Sequence, residues 1–265
     1  MLLSMDIPSL PAGQARALAL VSHPDPSYEE LAGIADIDPG VMAALLHAAN
    51  SSASSPIKPV GTARVAMVRI GMRETRRIIM GVALAGSFPR VDQSGIDTTE
   101  MWRPLIATGL LADATAWGEL RHTEAFTAGL LHDLGRLALA AGSPHDYGCV
   151  MHMVRAGAPV AQAEHAVFGV DHIQWGATIA RHWRLPEGIV GAIEGHHEGR
   201  QPALGWVVTR ARELAGSLGI GDGLLPPVPL VEGSEATMLP VLEELGGEQA
   251  IMERVAWYAG ALAVA

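Results

Sequence analysis

The 265-residue chain is 49% hydrophobic and 17% charged, a balance that supports one large or two small folded domains with a sizeable core. Its formal net charge of −10 argues against sequence-independent binding to a nucleic-acid backbone, which needs a cationic surface, and leaves room only for a small local basic patch. Aromatic residues make up 5%, so the core has to be built mainly from Leu, Ala, Val, Ile and Met. The single cysteine, Cys149, rules out an internal disulfide and fits a reducing compartment. Met1–Leu10 has no basic start and carries Asp6 and Pro8, unlike a signal peptide. No uncharged apolar run reaches the roughly 18–20 residues that span a bilayer. The expectation is a cytoplasmic protein with no membrane partner.

Helix signals recur along the chain and strand signals do not, which predicts an all-α fold of many helices. Residues 10–21 read as a short helix. Ser27-Tyr28-Glu29-Glu30 is a capping box, in which the serine accepts from a free backbone N–H and Glu30 reaches back. Asp38-Pro39 opens the next helix, with Asp at the N-cap and Pro where a missing N–H costs nothing. That helix stops at Asn50-Ser51-Ser52, before a proline-containing loop. Residues 62–70 and 72–86 are two helices parted by Gly71. The stretch 88–96 is a connector, and Asp97-Thr98-Thr99-Glu100 is a second capping box opening a long helix to about Trp117. Further helices are predicted at 122–140, 144–156, 159–167, 171–184, 187–198, 203–218, 235–245 and 247–262. Pro226, Pro227 and Pro229 mark a break before the last two.

The predicted helix at 122–140 holds the stretch with most chemical content, Gly129-Leu130-Leu131-His132-Asp133-Leu134-Gly135-Arg136-Leu137. Burying an imidazole and a carboxylate costs several kcal/mol unless they pair or hold a metal. Adjacent helical residues point about 100° apart, so both reach one ion only if other helices complete the set. His172, after Asp171 at a predicted helix start, and His196 or His197, at a helix end, are the candidates. Each has a structural explanation as well: Asp171 as an N-cap, and the paired histidines as favourable cations at a helix C-terminus. From the residues alone the structural explanation is preferred to an occupied metal site.

Leu131-His132-Asp133-Leu134-Gly135-Arg136-Leu137 resembles the signature of the HD superfamily. More of the chain is similar to the HDOD family, the HD-related output domain of bacterial signalling. The resemblance runs through Leu10-Pro11, His23-Pro24-Asp25, Asp38-Pro39, Leu46-His47-Ala48-Ala49-Asn50-Ser51, Ile70-Gly71-Met72-Arg73, Phe168-Gly169-Val170-Asp171-His172, Trp183-Arg184-Leu185-Pro186 and Ile193-Glu194-Gly195-His196-His197-Glu198. It implies an HDOD domain over 7–215, with an N-terminal helical lobe of about five short helices at 7–88 and an HD-like lobe at 97–215. Residues 216–265 form a C-terminal helical extension. It also exposes departures. Catalytic HD phosphohydrolases add a first His and a distant Asp to the central pair, and Pro104 and Arg212 stand at the matching places here. The Gly-Tyr-Pro element of the related phosphodiesterases is replaced by Gly199-Arg200-Gln201-Pro202. The resemblance therefore implies a non-catalytic regulatory domain in which His132, Asp133, His172 and His196 are the vestige of a metal site without an expected ion. If Arg212 lies nearby, it is a candidate to pair with Asp133 in place of that ion.

Three functions are carried forward. The first is signal transduction through contact with signalling proteins in trans, since no receiver or cyclase segment accompanies the domain. The second is a phosphohydrolase or nucleotide phosphodiesterase holding iron, manganese or zinc at His132 and Asp133. The third is nucleotide binding without turnover. Arg69, Arg73, Arg76 and Arg77 concentrate positive charge and are a candidate docking face, with a plain solvated helix face as the preferred explanation. Met67, Met72 and Met80 offer an adaptable interface or ordinary core. Cys149 is expected to be a small buried hydrophobe.

Overall fold

A computed structural model of the chain describes residues 6–23, 25–51, 54, 58–116, 122–197, 203–221 and 235–265. Among them are fifteen α-helices and no strand. No single helix is long and apolar enough to cross a membrane. The chain divides into two compact units.

One unit comprises Ser9–Ser87 and Met252–Ala265. It contains α1 (Ala12–Ser22), α2 (Tyr28–Ala35), α3 (Pro39–Asn50), α4 (Ala63–Ile70) and α5 (Met72–Gly86). Local chemistry sets these boundaries. Ser27 Oγ accepts from Glu30 N at 3.2 Å, and Glu30 Oε2 accepts from Ser27 N at 2.9 Å, completing the capping box. Asp38 Oδ1 accepts from Gly40 N and Val41 N at the head of α3. Between α4 and α5 the backbone turns at Gly71 with φ +86°, a conformation that a Cβ would strain. Val21, Leu31, Leu45, Met67, Ile78, Ile79 and Leu84 fill the core.

The other unit comprises Phe88–Ile251 with the segment ending at Pro8, whose carbonyl accepts from Trp183 Nε1 at 2.9 Å. After a 3-10 turn at Val91–Ser94 come α6 (Thr98–Thr115), α7 (His122–Leu131), α8 (Leu134–Gly142), α9 (Pro144–Arg155), α10 (Val160–Phe168), α11 (His172–His182), α12 (Glu187–Gly195), α13 (Ala203–Ser217) and α14 (Glu235–Glu244). The last helix, α15 (Glu248–Leu262), begins here and continues into the first unit. Two glycine contacts bring helices unusually close. A Cβ on Gly129 of α7 would stand 2.7 Å from Gly109 Cα of α6. A Cβ on Gly135 of α8 would collide with His172 O and Gly176 N of α11.

Two expectations are corrected. The predicted helix at 122–140 is two helices, broken at His132-Asp133. Arg136 N and Leu137 N both bond to Asp133 O, so a new helix starts there, and Asp133 has left helical geometry at ψ +26°. The break brings two adjacent side chains, which a continuous helix would hold about 100° apart, to one place. The extension expected at 216–265 is divided as well. Trp257 Nε1 donates to Ala48 O and Ser51 Oγ, and Arg254 pairs with Glu74 at 2.6 Å, which ties the chain end to α3 and α5. Trp117, the Pro226–Pro229 break, and the side chain of Glu100 in the second capping box lie outside the described residues.

Gly135→Ala should destabilise the protein by about 1–3 kcal/mol or more in denaturant unfolding, because backbone rather than a movable side chain blocks the new methyl. Arg184 follows α11 with φ +57°, its N–H bonded to Arg181 O. Arg184→Gly should raise stability by about 0.5–1 kcal/mol, the left-handed penalty less the entropy that glycine adds to the unfolded chain.

Candidate metal centre

The α7–α8 break, the head of α11 and the tail of α12 meet at one pocket of about 530 Å³, also bordered by Pro104 and Thr108 of α6 and by Thr209 and Arg212 of α13. Asp171 caps α11 by accepting from Gln174 N at 2.8 Å, and this fixes the first helical residue, His172, over the pocket. Asp171 is thus an N-cap, and His172 also lines the pocket. His196 ends α12, and Thr209 Oγ1 donates to its carbonyl at 3.1 Å.

Asp133 is the centre of the cluster and is 3% exposed. Its Oδ2 lies 3.1 Å from Arg136 Nη1 and 3.5 Å from His132 Nε2. Its Oδ1 lies 3.3 Å from His196 Nε2 and 3.6 Å from His172 Nε2. Burial by itself would raise the carboxyl pKa, but Arg136 and then His132 overcome it and hold the group well below the usual carboxylate range. The sequence reading passed over Arg136 as a partner for Asp133. Arg212 lies at the same pocket, where its Nη1 donates to His196 O at 2.9 Å and lies 3.4 Å from His197 Nδ1, and Arg136 takes the place at Asp133 for which Arg212 was the candidate.

Three histidines are oriented alike. His132 Nδ1 is 2.7 Å from Gly129 O, and His196 Nδ1 is 2.6 Å from Ile193 O. A carbonyl only accepts, so each Nδ1 carries the proton. Burial pushes the pKa of both rings down to about 3, so they are neutral near pH 7 and each Nε2 is a bare lone pair. The third, His172, has its Nδ1 2.5 Å from Oε2 of Glu164. This fully buried carboxylate also accepts from His172 N at 2.8 Å and from Tyr147 Oη at 3.0 Å. Burial raises the Tyr147 pKa well above its usual value, so the phenol stays a donor. His197, more exposed at the mouth, places its Nε2 3.0 Å from His172 Nε2.

The donor set fits one metal ion. Ligand atoms of Asp133, His172, His196 and His197 all lie within 4.8 Å of one another. Asp133 Oδ1 and His196 Nε2 are buried and face each other yet make no hydrogen bond. Two opposed lone pairs cost about 1–3 kcal/mol each when left unmet, and a cation between them relieves both. Imidazole with one carboxylate oxygen suits zinc, iron or manganese. A histidine that donates its other N–H to a carboxylate, as His172 does to Glu164, is the usual second-layer support of such a ligand. Of the residues singled out from sequence, His172 and His196 join Asp133 directly, and His132 borders it. Glu164 and Tyr147 were missed. The available signal was a charged residue on the otherwise apolar buried stripe of α10, beside Val160, Ala163 and Phe168. Glu198 and the 199–202 segment lie outside the described residues.

The arginine face is not a free patch. Arg69 donates to Ala49 O and Lys58 O, Arg76 to Val21 O and His23 O, and buried Arg77 pairs with Glu74. Backbone carbonyls at helix ends need donors, and long guanidinium forks supply them. Arg73 has a 68% exposed side chain. Met67 and Met80 are core, and Cys149 is exposed rather than buried.

Arg136→Met should destabilise the protein by about 3–5 kcal/mol in metal-free buffer, since it strands a buried carboxylate. Adding Asp133→Asn to it should recover most of that loss in the same denaturant titration.

Comparison with known proteins agrees with this architecture. The model of the HDOD domain family matches residues 7–199. An uncharacterized protein of Treponema pallidum (strain Nichols) is 26% identical over 198 residues, which cover 72% of this chain and 38% of that protein. The chain thus aligns with well under half of that relative's length. The solved structure of an HDOD domain protein of unknown function from Geobacter sulfurreducens superposes with a TM-score of 0.71 at 24% identity, covering 98% of this chain and 94% of the other. A Shewanella amazonensis SB2B protein, provisionally assigned as a phosphohydrolase, superposes with a TM-score of 0.69 at 23% identity, covering 96% and 93%. With the family model spanning most of the sequence and the fold shared end to end, this chain belongs to the HDOD domain family.

Proposed function

We propose that this chain is a regulatory signal-transduction domain that acts through contact with signalling proteins in trans, and that its cluster holds a single divalent ion without hydrolysing phosphoesters. The observation that carries the reading is the pocket wall. Pro104 and Arg212 border the cluster, at the places where the resemblance to catalytic HD phosphohydrolases implies a His and an Asp ligand. Proline has no ligating side chain, and a guanidinium offers no lone pair and repels a second cation. Arg136 already neutralises Oδ2 of Asp133, which leaves one carboxylate oxygen and the imidazoles for one ion.

When bound, such an ion supplies Lewis acidity and lowers the pKa of a coordinated water. The chain's own groups do the positioning. Glu164 holds His172, the Ile193 carbonyl holds His196, and Arg136 keeps Asp133 ionised, so the ligands would link the α7–α8 break, the head of α11 and the tail of α12. The second reading, a metal-dependent phosphohydrolase or phosphodiesterase, is favoured by the convergence of Asp133, His172, His196 and His197 on one point.

Elemental analysis of the purified protein should find about one iron, manganese or zinc per chain, lost in Asp133→Ala. Generic phosphodiester and nucleotide substrates should not be turned over with any of the three ions. Turnover in the wild type that Asp133→Ala abolishes would establish the hydrolase instead. A metal-free wild type would remove the ion from the proposal.

A further inference from the structure

We propose that the pocket at the Asp133 cluster binds a small amphipathic acid, with its oxyanion head at the cluster and an uncharged apolar body along the remaining wall. The inference rests on the ion proposed above and names the ligand class of that same site. At about 530 Å³ the cavity falls within the roughly 300–1,000 Å³ range of small-molecule sites. Helix α13 gives it a direction. Thr209, Arg212, Glu213 and Gly216 are spaced i, i+3, i+4 and i+7, so they share the helix face that lines the pocket. Thr209 Oγ1 donates to His196 O and marks the cluster end. Gly216 lies about 10 Å further along the helix axis, from the rise of 1.5 Å per residue.

The chemistry of the lining changes from one part to another. Arg212 Nη1 is fixed on His196 O at 2.9 Å, which sets a guanidinium at the cluster end, where its planar fork matches a carboxylate or a phosphate. Glu213 also borders the pocket, and Arg210 holds it at 2.6 Å. With the ion in place, its charge and that of Arg136 exceed the charges of Asp133 and Glu164, so the floor of the pocket attracts an anion. The unmet lone pairs of Asp133 Oδ1 and His196 Nε2 put the ion at this same end. The wall supplied by Pro159, Val160, Ala161, Ile173, Ala215 and Ile220 offers hydrocarbon and no side-chain hydrogen bond. A nucleotide base brings donors and acceptors that are costly to bury against such a wall, whereas a hydrocarbon body gains by it.

The test is isothermal titration calorimetry on the zinc-loaded full chain, with zinc measured in the same sample, using octanoate, monooctyl phosphate, octylamine and GMP. Octanoate, monooctyl phosphate or both should bind saturably in the micromolar range, and the preferred acid identifies the head group. Octylamine and GMP should bind at least about tenfold more weakly. Arg212→Met should weaken binding of the acid by about tenfold. Ala161→Trp, which fills the cavity from a half-buried position, should abolish it with zinc content and helical circular dichroism unchanged. A protein that takes up no zinc would overturn the ion and this inference together. A zinc-loaded protein that binds neither acid, that binds octylamine equally well, that prefers GMP, or whose acid binding survives both substitutions would overturn this inference alone.

Discussion

Asp133 is a buried carboxyl held well below the usual carboxylate range, and the surrounding structure supplies the charges that hold it there. Arg136, one turn along α8, supplies the matching cation at 3.1 Å. The two residues keep the i, i+3 spacing of helical neighbours, with α8 beginning at Asp133 itself after the chain breaks from α7. α8 lies directly on α11 where Gly135 meets the backbone of His172 and Gly176. Removal of the carboxylate, the guanidinium or the glycine would leave the other two without a purpose. A buried ion pair of this kind contributes little net stability, yet breaking it on one side is expensive. It therefore acts as a constraint on which packing the chain can adopt.

Around this charge the imidazoles are arranged by their far nitrogens. Each of His132, His172 and His196 has Nδ1 engaged, two by carbonyls and one by Glu164, so each presents Nε2 toward the pocket. Glu164 is itself saturated by a backbone N–H and a phenol as well as the ring. Such a layered network fixes ring orientation before any ligand arrives, which lowers the entropy cost of binding an ion. The same network without an ion would leave lone pairs of Asp133 and His196 opposed across 3.3 Å. A cation between them would satisfy both, which is what makes the cluster a candidate metal centre.

The N-terminal unit uses its arginines in a different way. Arg69 and Arg76 cross to carbonyls of other segments and fasten the ends of α1 and α3. What remains outward on α4 and its approach is a mixture of Arg64, Val65 and Val68 with Arg73 at the head of α5. Arg69, Arg76 and Arg77 thus serve the packing of this unit.

The helices were readable because their limits are local. Ser27 with Glu30, Asp38 with Pro39, Gly71, and Asp171 act on backbone groups within a few residues, so their effect is written in adjacent letters. The all-α class, the HDOD likeness and the site residues His132, Asp133, His172 and His196 followed from such patterns and their order. What distance in sequence separates was not readable. The break at His132-Asp133 sits inside an apolar run that looks continuous, and only the backbone geometry at Asp133 reveals it. Glu164 resembles a surface charge until Tyr147 and His172 close over it. The end of α15 returns to α3 and α5 through Trp257 and Arg254, across some two hundred residues. Local hydrogen bonding thus determined where helices start and stop, whereas long-range packing decided which charges are buried and what each of them faces.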